Sequence, residues 1–167
     1  MRKELYKAIK ERINGLYKTE AGDYAYLEKE KRGDNFVPVI KHVGYWNRNV
    51  EFVEEDVAWD RPAVFIEFKP IQWQRSKEKE ARGDVTIHLH IVNDWVEAAA
   101  SDINEPDSEL EIFDIVDAVV DVVDGTDSRY TGSISLVESH TNHDHEELIE
   151  SIEVFTGKAK RIFKQRS

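Results

Sequence analysis

Within eight residues, His140-Thr141-Asn142-His143-Asp144-His145-Glu146-Glu147, the sequence gathers three imidazoles and three carboxylates. Both groups are ligands for divalent transition metals, and three histidines so close together can converge on one ion wherever the backbone turns. Their spacing fits no standard zinc motif, and the HExxH pattern of a metalloprotease helix is absent. The same residues suit a polar turn between two strands. A second pair, His88 and His90, sits on one face of an alternating segment, where the rings either add ligands or line a wetted sheet face or a subunit contact. If both groups met around one ion, the result would be a hydrolytic metal centre with Asp144 or Glu147 as base. The expectation taken forward is that no metal, no cofactor and no catalytic residue is needed. His140, His143, His145, His88 and His90 stand as the candidates for the metal alternative.

Other chemistry is poorly served. The chain has no cysteine, which removes disulfides, thiol nucleophiles and thiolate zinc sites. GxSxG, the P-loop and GxGxxG are missing, and Gly132-Ser133 reads only as the start of a turn. A protein without turnover is expected.

Charge is more informative. The formal net charge is −11, but from Asp94 to Glu153 there are 18 acidic side chains against the single basic Arg129, so the remainder is net positive. A block like this is unsuited to gripping phosphates, because duplex binding depends on cationic contacts that release counterions. Within it Asp114, Asp117, Asp121 and Asp124 follow at spacings of 3, 4 and 3, which only a helix places on one side. Like charges so spaced repel by roughly a few tenths of a kcal/mol per pair. Either water and salt or the cations of a neighbouring subunit must offset that. Arg75, Lys77 and Lys79 lie in a charged tip, and Lys158, Lys160 and Arg161 begin a basic tail. Together with the four aspartates they are the candidate oligomer-interface residues.

The elements that would position these groups follow from periodicity. At 167 residues the chain suits one domain, residues 1–167, able to bury about two-thirds of its unfolded surface. Leu5, Ile9, Ile13 and Leu16 give residues 1–16 the buried stripe of a helix that Gly15 ends. Residues 17–35 have no clean period and read as a loop or short helix. Val37 to Ile40 and Val50 to Val53 look extended, and Ala63 to Phe68, bounded by Pro62 and Pro70, has the composition of a strand. Val85, Ile87, Leu89 and Ile91 alternate with polar residues through a second strand. Between these two, Gln74 to Asp84 reads as a long mobile hairpin tip. Ser108 with Glu111 forms a capping box opening a helix from Leu110 to Val123, which Gly125 stops. Ser133 to Val137 suits a strand with Ile134 and Leu136 facing one way. Leu148, Ile149, Ile152 and Phe155 mildly favour a helix, and residues 158–167 read as a basic, fraying tail. Tyr45, Trp46, Trp59, Trp73 and Trp95 fall at element edges, where aromatics cover a core or anchor an interface.

Several stretches resemble the tail terminator or tail completion proteins of long-tailed phages, in particular those of Bacteroidetes prophages. They are Ile40-Lys41-His42-Val43, Trp46-Asn47, Val50-Glu51-Phe52, Arg61 to Phe68, Ile71-Gln72-Trp73, Val85 to Val92 and Thr141-Asn142-His143 through Glu147. The resemblance runs over roughly residues 36 to 157. It implies an α+β subunit whose mostly antiparallel sheet packs against two main helices. It also implies a strand at residues 148–156, which we adopt over the helix. The implied role is structural: a ring, commonly a hexamer, that ends the tail tube and meets neck proteins, with DNA only passing through its lumen and without sequence-specific binding. An acidic lumen would let the duplex slide, and a closed ring needs unlike patches on one chain, which acidic helix and basic tail provide. No membrane contact is implied. Met1-Arg2-Lys3-Glu4-Leu5 lacks the apolar run of a signal peptide, so the expected location is the virion tail, or the host cytoplasm during assembly.

Overall fold

The protein is described from a computed structural model, which places residues 1–47, 59–94, 110–142 and 148–164. In chain order the elements are α1 (Arg2–Asn14), β1 (Leu16–Lys18), β2 (Tyr24–Tyr26), β3 (His42–Tyr45), β4 (Ala63–Phe68), β5 (Gln74–Lys77), β6 (Glu80–Asp94), α2 (Glu111–Val123), β7 (Ser135–Asn142) and β8 (Leu148–Ile162). β1 and β2 form a separate small hairpin. The remaining strands make one sheet in the order β3-β4-β6-β8-β7, with β5 paired to the distal part of β6. Only β3 and β4 run parallel; every other pairing is antiparallel. The fold is therefore α+β, a mostly antiparallel sheet with two helices among the described residues.

Strand alternation sorts the sheet's two faces. Val64 and Ile66 of β4, Val85, Ile87, Leu89 and Ile91 of β6, and Ile149 and Phe155 of β8 point to the helix side. There they join Leu5, Ile9 and Ile13 of α1 and Ile112, Ile115, Val116, Val119 and Val123 of α2 in the main core. The opposite face carries a smaller cluster, Trp59, Ala63, Phe65, Val92 and Leu148, with Trp46 against it. Both helices keep most of their apolar residues on the buried side and their charges outside, as the periodicity predicts, with Phe113 of α2 the exception. Gly125 follows α2 with φ +75°, a conformation in which a glycine has no Cβ to clash.

The structure departs from the sequence reading at several places. Gln74 to Asp84, expected as a mobile loop, is instead β5 and the start of β6, closed by Glu78 and Lys79 alone. Glu80 to Asp84 pair with Ile162 to Lys158 of β8 on the other side. Main-chain hydrogen bonds are indifferent to the charge of side chains that point to water, so a doubly paired strand forms in spite of its polarity. For the same reason Lys158 to Ile162, read as a tail, continue β8. Residues 148–156 are the strand adopted from the resemblance, and their spacing looks helical because both faces are covered: Leu148, Glu150 and Val154 are buried on one side, Ile149, Ser151, Glu153 and Phe155 on the other. A strand buried on both faces shows no apolar–polar alternation.

A further departure is at the start of α2. Its N-cap is Leu110, with no side-chain cap bond, and Ser108 lies outside the described residues. Glu111 Oε1 accepts from Lys18 Nζ and, at 3.0 Å, from Tyr24 Oη, tying the helix to the β1–β2 hairpin. The hydrogen bonds from Lys18 and then Tyr24 hold the Glu111 carboxyl below its usual range. Residues 17–35, read as loop or short helix, contain this hairpin and a 3-10 turn at Lys29–Lys31. Val37 to Ile40 join no ladder, although Val39 N–H donates to Leu16 O at 2.9 Å and Ile40 is buried. Val50 to Val53 and Trp95 lie outside the described residues.

Phe155 is fully buried against the helices, so Phe155→Ala is expected to cost about 3–5 kcal/mol of stability. Val137 on β7 is mostly exposed, and Val137→Ala should stay within about 0.5 kcal/mol. Urea unfolding of the two variants checks both numbers.

Candidate functional site

Where β4, β6 and β8 lie side by side, their outward residues build a polar cluster beside the Trp46 and Phe65 cluster. Glu67 of β4 pairs directly with His88 of β6, and Phe65 with His90. Glu150 of β8 pairs with Val92 and is the diagonal neighbour of His90 on the same face. His90 is buried. Its Nδ1 lies 2.6 Å from Glu150 Oε1 and its Nε2 lies 3.1 Å from Glu67 Oε2. The indole of Trp46 stacks on the imidazole with centroids 3.7 Å apart and planes 2° from parallel. His88 Nδ1 is 3.7 Å from the same Glu67 Oε2.

The outer contacts of this cluster are equally defined. Lys69 Nζ donates to Glu67 Oε1 at 2.9 Å, which leaves Oε2 facing the two rings. Asn142 Nδ2 of β7 donates to Glu150 Oε2 at 2.9 Å. Burial works to raise the Glu67 carboxyl, but Lys69 and His90 outweigh it and hold it below the usual range. Burial, and then the charge of Lys69, depress His88 despite the opposing carboxylate of Glu67. Neutral imidazole beside ionised carboxylate is a ligand arrangement for a cation.

The sequence candidates divide. His88 and His90 are brought together, with a tilted ring pair 6.3 Å apart. His140 lies on the exposed outer strand β7, where its Nε2 meets Glu138 Oε1 at 3.0 Å; it does not join the other two rings. His143 and His145 lie outside the described residues. Glu67 and Glu150 were not among the candidates, although Glu67 is a lone carboxylate inside an apolar strand run, a signal that such a residue has a partner; Glu150, among several acids, carries no such signal.

The charged interface candidates separate in the same way. Asp114, Asp117 and Asp121 are exposed on α2 and line a cleft of about 370 Å³ against Gly22, Asp23 and Tyr24. Asp124 has a local task, since its Oδ1 accepts from Leu136 N–H at 2.9 Å. At the far end of β6 and β8, Lys158 Nζ is 2.5 Å from Asp84 and Lys160 Nζ is 2.8 Å from Glu80. These two lysines thus have partners within the chain. Arg75 donates to Glu78 O at 2.7 Å, and the guanidinium groups of Arg75 and Arg161 lie over the Phe163 ring at 4.8 and 5.5 Å. Lys77 precedes the hairpin turn, Lys79 lies in it, and both are exposed.

One further surface is not electrostatic. β7 is an outer strand of the sheet, exposed over all but its last residue, with Leu136 and Val137 uncovered. The β7–β8 register shifts between Leu136 and Glu138, so Val137 is the extra residue of a bulge. Leu110 and Phe113 on α2 are also exposed. A cleft of about 240 Å³ runs between α2 and β7, lined by Phe113, Val116, Val120, Leu136 and Ile149, with Ser139 and the buried Glu153 at its polar end.

No protein-family model and no curated protein matches the sequence. Among solved structures the chain is similar to one from the "Virion of native gene transfer agent (GTA) particle", at 12% identity, with 71% of this chain and 78% of that chain covered and a TM-score of 0.44.

The hairpin end generates a test of its own. Glu80 accepts from Lys160 and from Arg82, and these two bonds, in that order, hold its carboxyl at about 2 against an ordinary 4.5. The folded value is the lower one, so this contribution to stability is present above about pH 4.5 and fades as the pH falls toward 2. A carboxyl-carbon NMR titration should find the Glu80 midpoint near 2, and Lys160→Ala should move it upward.

Proposed function

We propose that this chain is a structural subunit of a phage or prophage tail, of the tail terminator or tail completion kind, which acts by assembling with copies of itself and with tail and neck partners. No turnover and no cofactor are part of this reading. The observation that carries the assembly half is the uncovered outer strand β7. A strand at a sheet edge presents unpaired N–H and C=O groups, and natural proteins blunt such edges or use them. Here it borders an apolar cleft instead of a shielding helix, with Leu136, Val137 and Phe113 left in water. Contiguous apolar surface rimmed by polar groups marks a protein contact.

Charge supports a head-to-tail arrangement. The aspartates on α2 and the cations Lys77, Lys79 and Arg161 lie on different elements, so one copy can present each to the next. A ring built this way keeps a predominantly acidic surface, over which a duplex passes without being held. The tail role itself comes from the sequence resemblance, which supplies the ring, commonly a hexamer, and the junction between tail tube and neck.

Light scattering across a concentration series tests the reading on the full chain. We expect an oligomer, formed alone or on mixing with tail-tube and neck proteins; a strict monomer under every one of these conditions counts against it. Val137→Lys with Phe113→Lys should weaken association at least tenfold, about 1.4 kcal/mol, while circular dichroism and the melting temperature stay close to those of the parent. Asp117→Lys with Asp121→Lys should also disrupt the assembly, and unchanged assembly in that variant would remove the aspartate stripe from the contact.

A further inference from the structure

We propose that Glu67, His88 and His90 form a binding site for one divalent transition-metal ion of the zinc, nickel or cobalt class, on the sheet face turned away from the helices. One ligand atom from each residue can be chosen so that all three lie within 4.8 Å of one another. Around an ion with nitrogen and oxygen ligands at about 2.0–2.2 Å, neighbouring ligand atoms stand roughly 3.3 Å apart, so small rotations of His88 and Glu67 close the set. Two imidazoles and one carboxylate suit a borderline ion, whereas magnesium and calcium demand oxygen. Three protein ligands leave the fourth position of a tetrahedron to water, and the partial exposure of His88 and Glu67 leaves that side open.

The surroundings are what turn three nearby residues into a site. Metal-bound imidazoles hand their second ring nitrogen to a carboxylate or carbonyl, which fixes the tautomer and makes the ring more basic. His90 has this arrangement already: Nε2 faces the site while Nδ1 donates to Glu150, and Glu150 is itself held by Asn142. Trp46 clamps the ring's plane. Lys69 occupies the far oxygen of Glu67 and turns the near one inward. When the ion binds, the proton on His90 Nε2 leaves, and the hydrogen bond from this nitrogen to Glu67 is replaced by coordination of both groups. The ligands come from β4 and β6 and their supports from β7 and β8, so the ion would pin four strands. Apart from Asn142 at the end of β7, none of this draws on the α2 and β7 surfaces used for assembly.

The test uses the full chain stripped with chelator and then titrated with zinc, followed by calorimetry, with cobalt substitution read by visible absorption. One ion per chain is expected, a tetrahedral cobalt spectrum, and a melting temperature that rises with free zinc. His88→Ala and Glu67→Gln should each abolish stoichiometric binding while the apo proteins melt close to the parent. Glu150→Gln, which touches no ion, should weaken binding by about 10–100-fold. His143→Ala with His145→Ala should leave stoichiometry and affinity unchanged. Absence of stoichiometric binding in the parent, binding that survives His88→Ala, or any dependence on His143 or His145 would overturn the assignment.

Discussion

β6 and β8 are each 15 residues long and pair along their whole length, from Glu80 with Ile162 to Asp94 with Leu148. Every other part of the sheet is arranged around this ladder. β4 and β5 take up the free edge of β6, β7 takes up the free edge of β8, and the helices cover the face that Val85, Ile87, Leu89 and Phe155 make apolar. Backbone hydrogen bonds that are shared on both sides are hard to lose one at a time. A strongly charged tip therefore stays ordered as far as Glu78 and Lys79, where a reading of side chains alone sees a loop.

The same ladder creates the chemistry. A sheet covered by helices on one side needs something for the other, and here the outer face is only partly apolar. Trp46 and Trp59 close over Phe65 and Val92. Beyond them the face turns polar, but it does not turn fully to water, and groups placed there must satisfy one another. Glu67, His90, Glu150 and Asn142 do so through four adjacent strands, each contributing a residue that would be costly to bury alone. Cluster and ladder are thus one construction. Register decides which carboxylate meets which nitrogen, and a slip of one residue would turn the imidazoles to the helix side.

The surface divides into zones with different physical tasks. The α2 flank is acidic, the β6–β8 tip carries cations that are largely paired within the chain, and the β7 edge is apolar and unshielded. Ion pairs between exposed side chains contribute little each, so in the proposed assembly Asp117 and Lys79 would act on orientation and encounter more than on affinity. The free energy of that contact would come mainly from Leu136, Val137 and Phe113. The two kinds of surface answer different questions about a partner, which one is chosen and how firmly it is held.

Periodicity alone determined both helices and the middle of β6, because each has one mostly buried face and so carries its pattern openly; β4, buried on both faces, was legible from its β-branched and aromatic composition between prolines. Gly125 as the end of α2 was equally legible. Three things were decided only by the tertiary structure. β8 is covered on both faces, which erases alternation and let helical spacing look better. The charged tip is held by main-chain bonds, which leave no trace in side-chain type. The partners of His88 and His90 come from residues 67 and 150, far apart in the chain and brought together by strand register. The sequence marks Glu67 as a lone acid in an apolar run, but only pairing across β4, β6 and β8 brings it to both rings and Glu150 to His90, because contact between strands is set by the fold and not by distance along the chain.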